Sequence, residues 1–156
     1  MNNPYIDNAV EKIIKDDQLE FPLNFALASC WVSAHFKGEN LKICDARGKS
    51  SLADYFILMS STNTTQAGSI ATEICKQLGK HKANCLSKEG LDTSNWILLD
   101  FGDIIIHIFQ ENARDIYDLD TLWADYPKAP IPAEYYVSSN IRQTDDLSIT
   151  GAKNYF

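Results

Sequence analysis

Apolar residues recur along the chain with two periods, and the switches between them mark out the elements. Ile6, Val10, Ile13 and Ile14 fall on one helical face behind Asn3-Pro4, a capping residue followed by one that opens helices, and the polar stretch KDDQLE ends the pattern. This predicts a short N-terminal helix. A second helix begins near Pro22 and carries Phe25, Leu27, Ala28, Trp31 and Val32 in a broad stripe that should lie on a core. It stops at Lys37-Gly38, a basic last turn followed by a terminating glycine. LKICDAR then alternates, with Leu41 and Ile43 inward and Lys42 and Cys44 outward, whereas DYFILMS is nearly continuous in apolar residues, as in a strand buried on both faces. From Asn63 the helical period returns through Ala67, Ile70, Ala71, Ile74, Cys75 and Leu78, with Asn63 and Gln66 as a capping box and Gly79 as the stop. HKANCLS reads as a weak third strand. Trp96–Asp100 and Ile104–Phe109 read as a hairpin around Gly102-Asp103, and ENARDIYDLDTLWADYP puts Ile116, Leu119 and Trp123 on one helical face that ends at Pro127.

Strands that alternate with helices and then form a hairpin imply an α/β or α+β domain: a mixed sheet of about five strands flanked by helices. The organisation expected is an N-terminal helical extension over residues 1–20, a central domain over 21–126, and a proline-punctuated, then polar, tail over 127–156 draped on the domain through Tyr135 and Tyr136.

Composition narrows the function classes. The 156 residues suit one domain with a real core, and 14 Lys and Arg against 21 Asp and Glu leave a net charge of -7, which repels phosphate backbones. Direct nucleic-acid binding is disfavoured, but docking on a basic protein is helped. Cys30, Cys44, Cys75 and Cys85 are widely spaced, without a C-x-x-C or a Cys/His ligand pair, and read as free thiols. No apolar run approaches the ~20 residues of a membrane span and the start lacks a signal pattern, so a cytoplasmic protein is expected.

Candidate chemistry centres on residues 89–123. Asp100 and Asp103 bracket the corner and could divide acid and base roles or hold a divalent metal; yet a D-x-x-D pair across a turn is also what turn chemistry alone selects, and no glycine-rich phosphate loop precedes it. His107 alternates with Ile106 and Ile108 and has no nucleophile or ligand motif nearby, which favours a hydrogen-bonded structural histidine. Trp96 and Trp123 are amphipathic rings in the company of Glu89, Asp100, Asp103, Asp115, Asp118 and Asp120. Acids around aromatic anchors make a socket for a basic partner.

DARGKSSLADYFILMSS followed by EGLDTSNWILLDFGDIIIHIFQENARDIYDLDTLWAD resembles the ribosomal silencing factor S family, also called Iojap-like proteins. Asp45, Asp54, Tyr55, Phe56, Glu89, Gly90, Trp96, Asp100, Gly102, Asp103, His107, Phe109, Arg114, Tyr117, Leu119, Leu122 and Trp123 fall on its pattern, which covers about two-thirds of the chain. The chain departs from it at Ser60-Ser61, where the family has Thr-Gly, and at Asp120, where the family has Glu. The resemblance implies a sheet related to that of nucleotidyltransferases but without their catalytic motif, commonly a homodimer. It also implies binding to the fourteenth large-subunit ribosomal protein on the face where the small subunit joins, with no cofactor and no catalytic or metal-binding residues. The partner-binding residues expected are Glu89, Trp96, Asp100, Asp103, Tyr117, Leu119 and Trp123, with Trp96 and Tyr117 as anchors. Two other readings compete: a divalent-metal nucleotidyltransferase built on Asp100 and Asp103, and a dimeric scaffold in another complex.

Overall fold

The computed structural model describes residues 3–136. The elements run α1 (Pro4–Ile14), α2 (Leu23–His35), β1 (Glu39–Asp45), β2 (Tyr55–Ser61), α3 (Thr64–Lys80), β3 (Ser87–Glu89), β4 (Trp96–Asp100), β5 (Ile104–Gln110), α4 (Glu111–Tyr117), α5 (Leu119–Leu122) and β6 (Lys128–Ala129). One six-stranded mixed sheet has the order β3-β4-β5-β2-β1-β6; β2 and β5 pair in parallel at its centre and every other pairing is antiparallel.

The sheet holds one strand more than the sequence pattern predicts. β6 is a two-residue edge piece between prolines, too short to show a period. The third strand is shorter than HKANCLS suggests and starts only at Ser87.

Alternation along the strands sorts the side chains onto two faces. Leu41, Ile43, Tyr55, Ile57, Met59, Ile97, Leu99, Ile104, Ile106 and Ile108 face α2 and α3 in the main core, and Ile6 and Val10 join from α1. α2 is buried from Asn24 to Ala34 on nearly all sides, because the sheet, α1, α3 and the segment containing Tyr135 and Tyr136 surround it. Those two tyrosines belong to the main core; residues 137–156 of the expected tail lie outside the described residues.

Helix starts follow the sequence rules and helix ends do not. The Asn3 side chain accepts from the Tyr5 and Ile6 amides, and Asn63 accepts from Gln66 while the Gln66 carboxamide oxygen accepts from the Thr62 amide. At the end of α2, Lys37 rather than Gly38 takes the left-handed conformation, with φ 70°, and the Gly38 amide reaches back to the Ser33 carbonyl at 2.7 Å. Gly38 is needed for proximity instead, since a Cβ there would sit 2.0 Å from Ser33 Oγ. α3 likewise runs past Gly79 to Lys80, with Lys82 at φ 70° and the Ala83 amide bonded to the Leu78 carbonyl.

The two glycines should therefore respond oppositely to alanine. Gly38→Ala should destabilise the fold by about 1–3 kcal/mol through overpacking. Gly79→Ala, on an exposed helical position with open space around it, should stabilise by about 0.5–1 kcal/mol. Urea denaturation midpoints of the two variants check the pair.

Candidate functional site

The second face of the sheet is apolar in its centre and only partly covered. Its residues form cross-strand rows fixed by the registers: Trp96, Phe109 and Ser60; then Glu89, Leu98, His107, Leu58 and Lys42; then Ser87, Asp100, Ile105, Phe56 and Cys44. α4, α5 and the turn after them close over the β1–β2 half. There Cys44, Ala46, Ala53 and Phe56 are buried beneath Trp123 and Tyr126, and Leu58, Phe109 and Ala113 beneath Leu119 and Trp123. Cys44, expected to face outward to solvent, is buried because this second cover exists.

One buried cation holds the cover down. Arg114, 7% exposed, grips Asp120 with two parallel bonds, Nε to Oδ2 at 2.9 Å and Nη2 to Oδ1 at 3.0 Å, and its third nitrogen donates to Ser60 Oγ and the Asn40 carbonyl. Lys42 Nζ adds a contact to Asp120 at 2.6 Å. These cations hold the Asp120 carboxyl far below the usual carboxylate range. Asp120 is thus an internal ion-pair partner and not part of an acidic socket. Asp118 is also used locally, since at φ 49° it breaks the helix and its side chain caps α5 by accepting from the Thr121 amide. The break overturns the single helix expected here and turns Ile116 outward, 74% exposed, out of line with Leu119 and Trp123.

The uncovered half carries linked rings. Trp96, half-buried, donates its Nε1 hydrogen to His107 Nδ1 at 3.1 Å and packs on Phe109 with centroids 4.9 Å apart. Tyr117, 55% exposed, packs against the Trp96 ring with centroids 4.6 Å apart. Trp123 stacks on Phe56 at 4.2 Å and approaches His107 at 5.5 Å, with Tyr126 continuing the stack. Since His107 Nδ1 accepts, the neutral ring keeps its proton on Nε2. Burial pushes the imidazole pKa down to about 4.

Of the seven residues predicted to bind a partner, the structure brings Glu89, Trp96, Asp100 and Tyr117 to this open half and places Leu119 and Trp123 at its border, where much of their surface is spent on packing. Asp103 is separate. It sits exposed at the hairpin tip and lines a groove with Phe21, Pro22 and Leu86. Asp100 Oδ1 accepts from the Gly102 amide at 2.8 Å, the turn role, while Gly102 takes φ 89°. Among the described residues no group of three or more His, Cys, Asp or Glu is arranged to hold a metal ion. Leu98, Ile105 and Phe56 escaped the sequence reading of the site; only strand register shows that they share its face.

His107 gives the site an acid sensitivity whose sign is fixed. The unfolded imidazole, near pH 6.5, binds its proton before the folded one does, so stability falls as pH drops from about 6.5 to about 4, by roughly 3 kcal/mol in all. Below that window both states are protonated and this loss stops. Asp120 titrates lower still, and Glu39, raised by burial and by Glu111, acts in the opposite sense. Urea unfolding at pH 7 and pH 4.5 should show this slope in the native chain and a much flatter one in His107→Gln.

Comparison with known proteins places this architecture. The family described as "Ribosomal silencing factor during starvation" matches residues 25–153. "Ribosomal silencing factor RsfS" of Bacillus subtilis is 33% identical over 109 residues, covering 70% of this chain and 90% of the relative. The protein of the same name from Haemophilus influenzae is 36% identical over 88 residues, 56% of this chain and 86% of that one. Among solved structures, protein CV0518 of Chromobacterium violaceum shares the fold with a TM-score of 0.64 at 23% identity, covering 68% of this chain and 88% of that one. With the matched segment spanning α2 to beyond β6, the chain belongs to the ribosomal silencing factor family.

Proposed function

We propose that the open half of the second sheet face docks on the large ribosomal subunit, through its fourteenth large-subunit protein, and that the bound protein blocks joining of the small subunit and so represses translation. Family membership supports the ribosomal setting. The single observation that carries the docking face is Tyr117, 55% exposed yet packed at 4.6 Å, tilted by 45°, against a Trp96 that His107 holds in place. Such a ring pair is rigid before binding, so little side-chain freedom is lost when a partner covers it.

Charge supports the same partner class. The net charge is -7, Glu89 flanks the rings on the exposed edge strand, and Glu111, Asp115 and Asp118 line a polar recess beside Lys42 and Arg114. A basic ribosomal protein is attracted by this field and bare RNA is repelled. On this reading the action is steric exclusion in the cytoplasm and no reaction is catalysed. Asp103, on another side of the hairpin tip, tunes the encounter and does not anchor.

The native chain should co-sediment with free large subunits and be depleted from joined ribosomes; equal recovery in both would reject exclusion. Tyr117→Ala should weaken binding to the isolated partner protein by roughly thirtyfold, as loss of a central aromatic costs on the order of 2 kcal/mol. Its thermal stability should hardly change, given its exposure. Trp96→Ala is a less clean probe, because that ring also packs on Phe109 and satisfies His107.

A further inference from the structure

α3 ends in a turn that sends the chain back along the side of its own helix. The Ala83 amide returns to the Leu78 carbonyl, and the Leu86 amide then donates to the Asp100 carbonyl at 2.7 Å, where the chain enters β3. This reversal sets Cys85, just before β3, against Cys75 in the last turns of α3. Both thiols are half-buried and pack on the main core. Their side chains hydrogen-bond to each other. Cys85 Sγ spends its own hydrogen on the Ser87 carbonyl at 3.2 Å, so its sulfur accepts and Cys75 donates.

Two sulfurs in contact need only a small approach to reach the disulfide length of about 2.05 Å. Cys85 lies in irregular chain, outside helix and ladder, and is free to make that approach by rotation. Burial, and then the charge and hydrogen bond of the neighbouring Cys85 sulfur, push the Cys75 thiol up to about 11, while Lys88 of β3 acts against them. Such a thiol is a poor first nucleophile near neutral pH. Cys30 and Cys44, on α2 and β1, are buried beyond reach of a solute.

We propose that Cys75 and Cys85 form a site of reversible oxidation, at which a low-molecular-weight disulfide joins them into an intramolecular disulfide that staples α3 to the start of the edge strand β3. The Cys85 thiolate attacks the outside disulfide, forming a mixed disulfide and releasing one thiolate. Cys75 then gives its proton to water and attacks the Cys85 sulfur, which breaks the mixed disulfide and releases the second thiolate. Two protein thiols are oxidised and one outside disulfide is reduced to two thiols. β3 is three residues long and paired on one side only, so it opens easily, and the bond restricts that opening. The pair lies on the α3 side of the sheet, away from the ring face, and does not depend on what docks there.

Oxidised glutathione tests the site on the full chain, with iodoacetamide blocking the remaining thiols before digestion. Trypsin leaves Cys75 in residues 50–76 and Cys85 in residues 83–88. The expected product is these two peptides joined, separated again by dithiothreitol, with Cys30 and Cys44 recovered as blocked thiols. Cys75→Ser should stop the sequence at a glutathione adduct on Cys85, and Cys85→Ser should leave Cys75 at least tenfold slower to take up glutathione than Cys85 is in the first variant. In the oxidised chain, hydrogen exchange at the Leu86 amide should slow by about tenfold or more. Joined peptides that form only in urea, or glutathione on both cysteines without joining, overturn the proposal. So does a covalent dimer on a non-reducing gel in place of the joined monomer, and unchanged Leu86 exchange in the oxidised chain overturns the staple.

Discussion

A sheet whose central strands are apolar on both faces must be covered twice, and this chain covers the second face only in part. β2 is buried at all seven positions and pairs in parallel with β5, so neither strand can leave one side to water. α1, α2 and α3 supply the first cover in full. The second is left to seven- and four-residue helices and a turn, which reach across β1, β2 and part of β5 and no farther. What remains beyond their edge is the ring surface of Trp96 and Tyr117.

So small a cover cannot hold by apolar burial alone, and the Arg114 cluster explains how it stays. A guanidinium with both a bidentate carboxylate and two neutral oxygens has its fork of donors met, which offsets the cost of taking the charge out of water. The cluster links α4, α5, β1 and β2 through Arg114, Asp120, Lys42 and Ser60. Ser60 is one of the positions where the chain departs from the family pattern, and here its hydroxyl accepts one of the four bonds that Arg114 donates. Since Ser60 keeps the hydroxyl that a Thr would also offer, this bond does not depend on the departure, and with Asp120 spent on Arg114 the acid count of the surface is lower than the sequence suggests.

Legibility in the sequence follows the range of the interactions. α1, α2, α3 and the β4–β5 hairpin are readable because each is defined by its own period and its local start or turn signals, all within a few residues. The helix ends at Gly38 and Gly79 mislead because lysines, not glycines, occupy the left-handed positions, a choice that local rules rank low. The run from Glu111 to Trp123 reads as one amphipathic helix because its break at Asp118 is stabilised by Arg114 gripping Asp120 across the gap, a contact no period reveals. Within the site, Trp96 and Tyr117 stand out by type and by resemblance. Their neighbours Leu98, Ile105 and Phe56 do not, since which strand faces which is set only when the sheet is assembled.

An exposed patch of linked rings invites self-association, and the sheet's construction limits that hazard. Both edge strands are short, three residues for β3 and two for β6, so neither edge offers a long ladder of unpaired amides to another chain. β3 carries Lys88 and Glu89 on opposite faces, and Glu89 stands in the same cross-strand row as Leu98 and His107, beside the rings. A second copy approaching ring to ring would bring Glu89 against a surface of its own sign. A partner that presents cations around an apolar centre meets the same acids as attraction. On the docking proposed for this face, its selectivity rests on the acids at its rim, while its rigidity rests on the Trp96 to His107 bond beneath it.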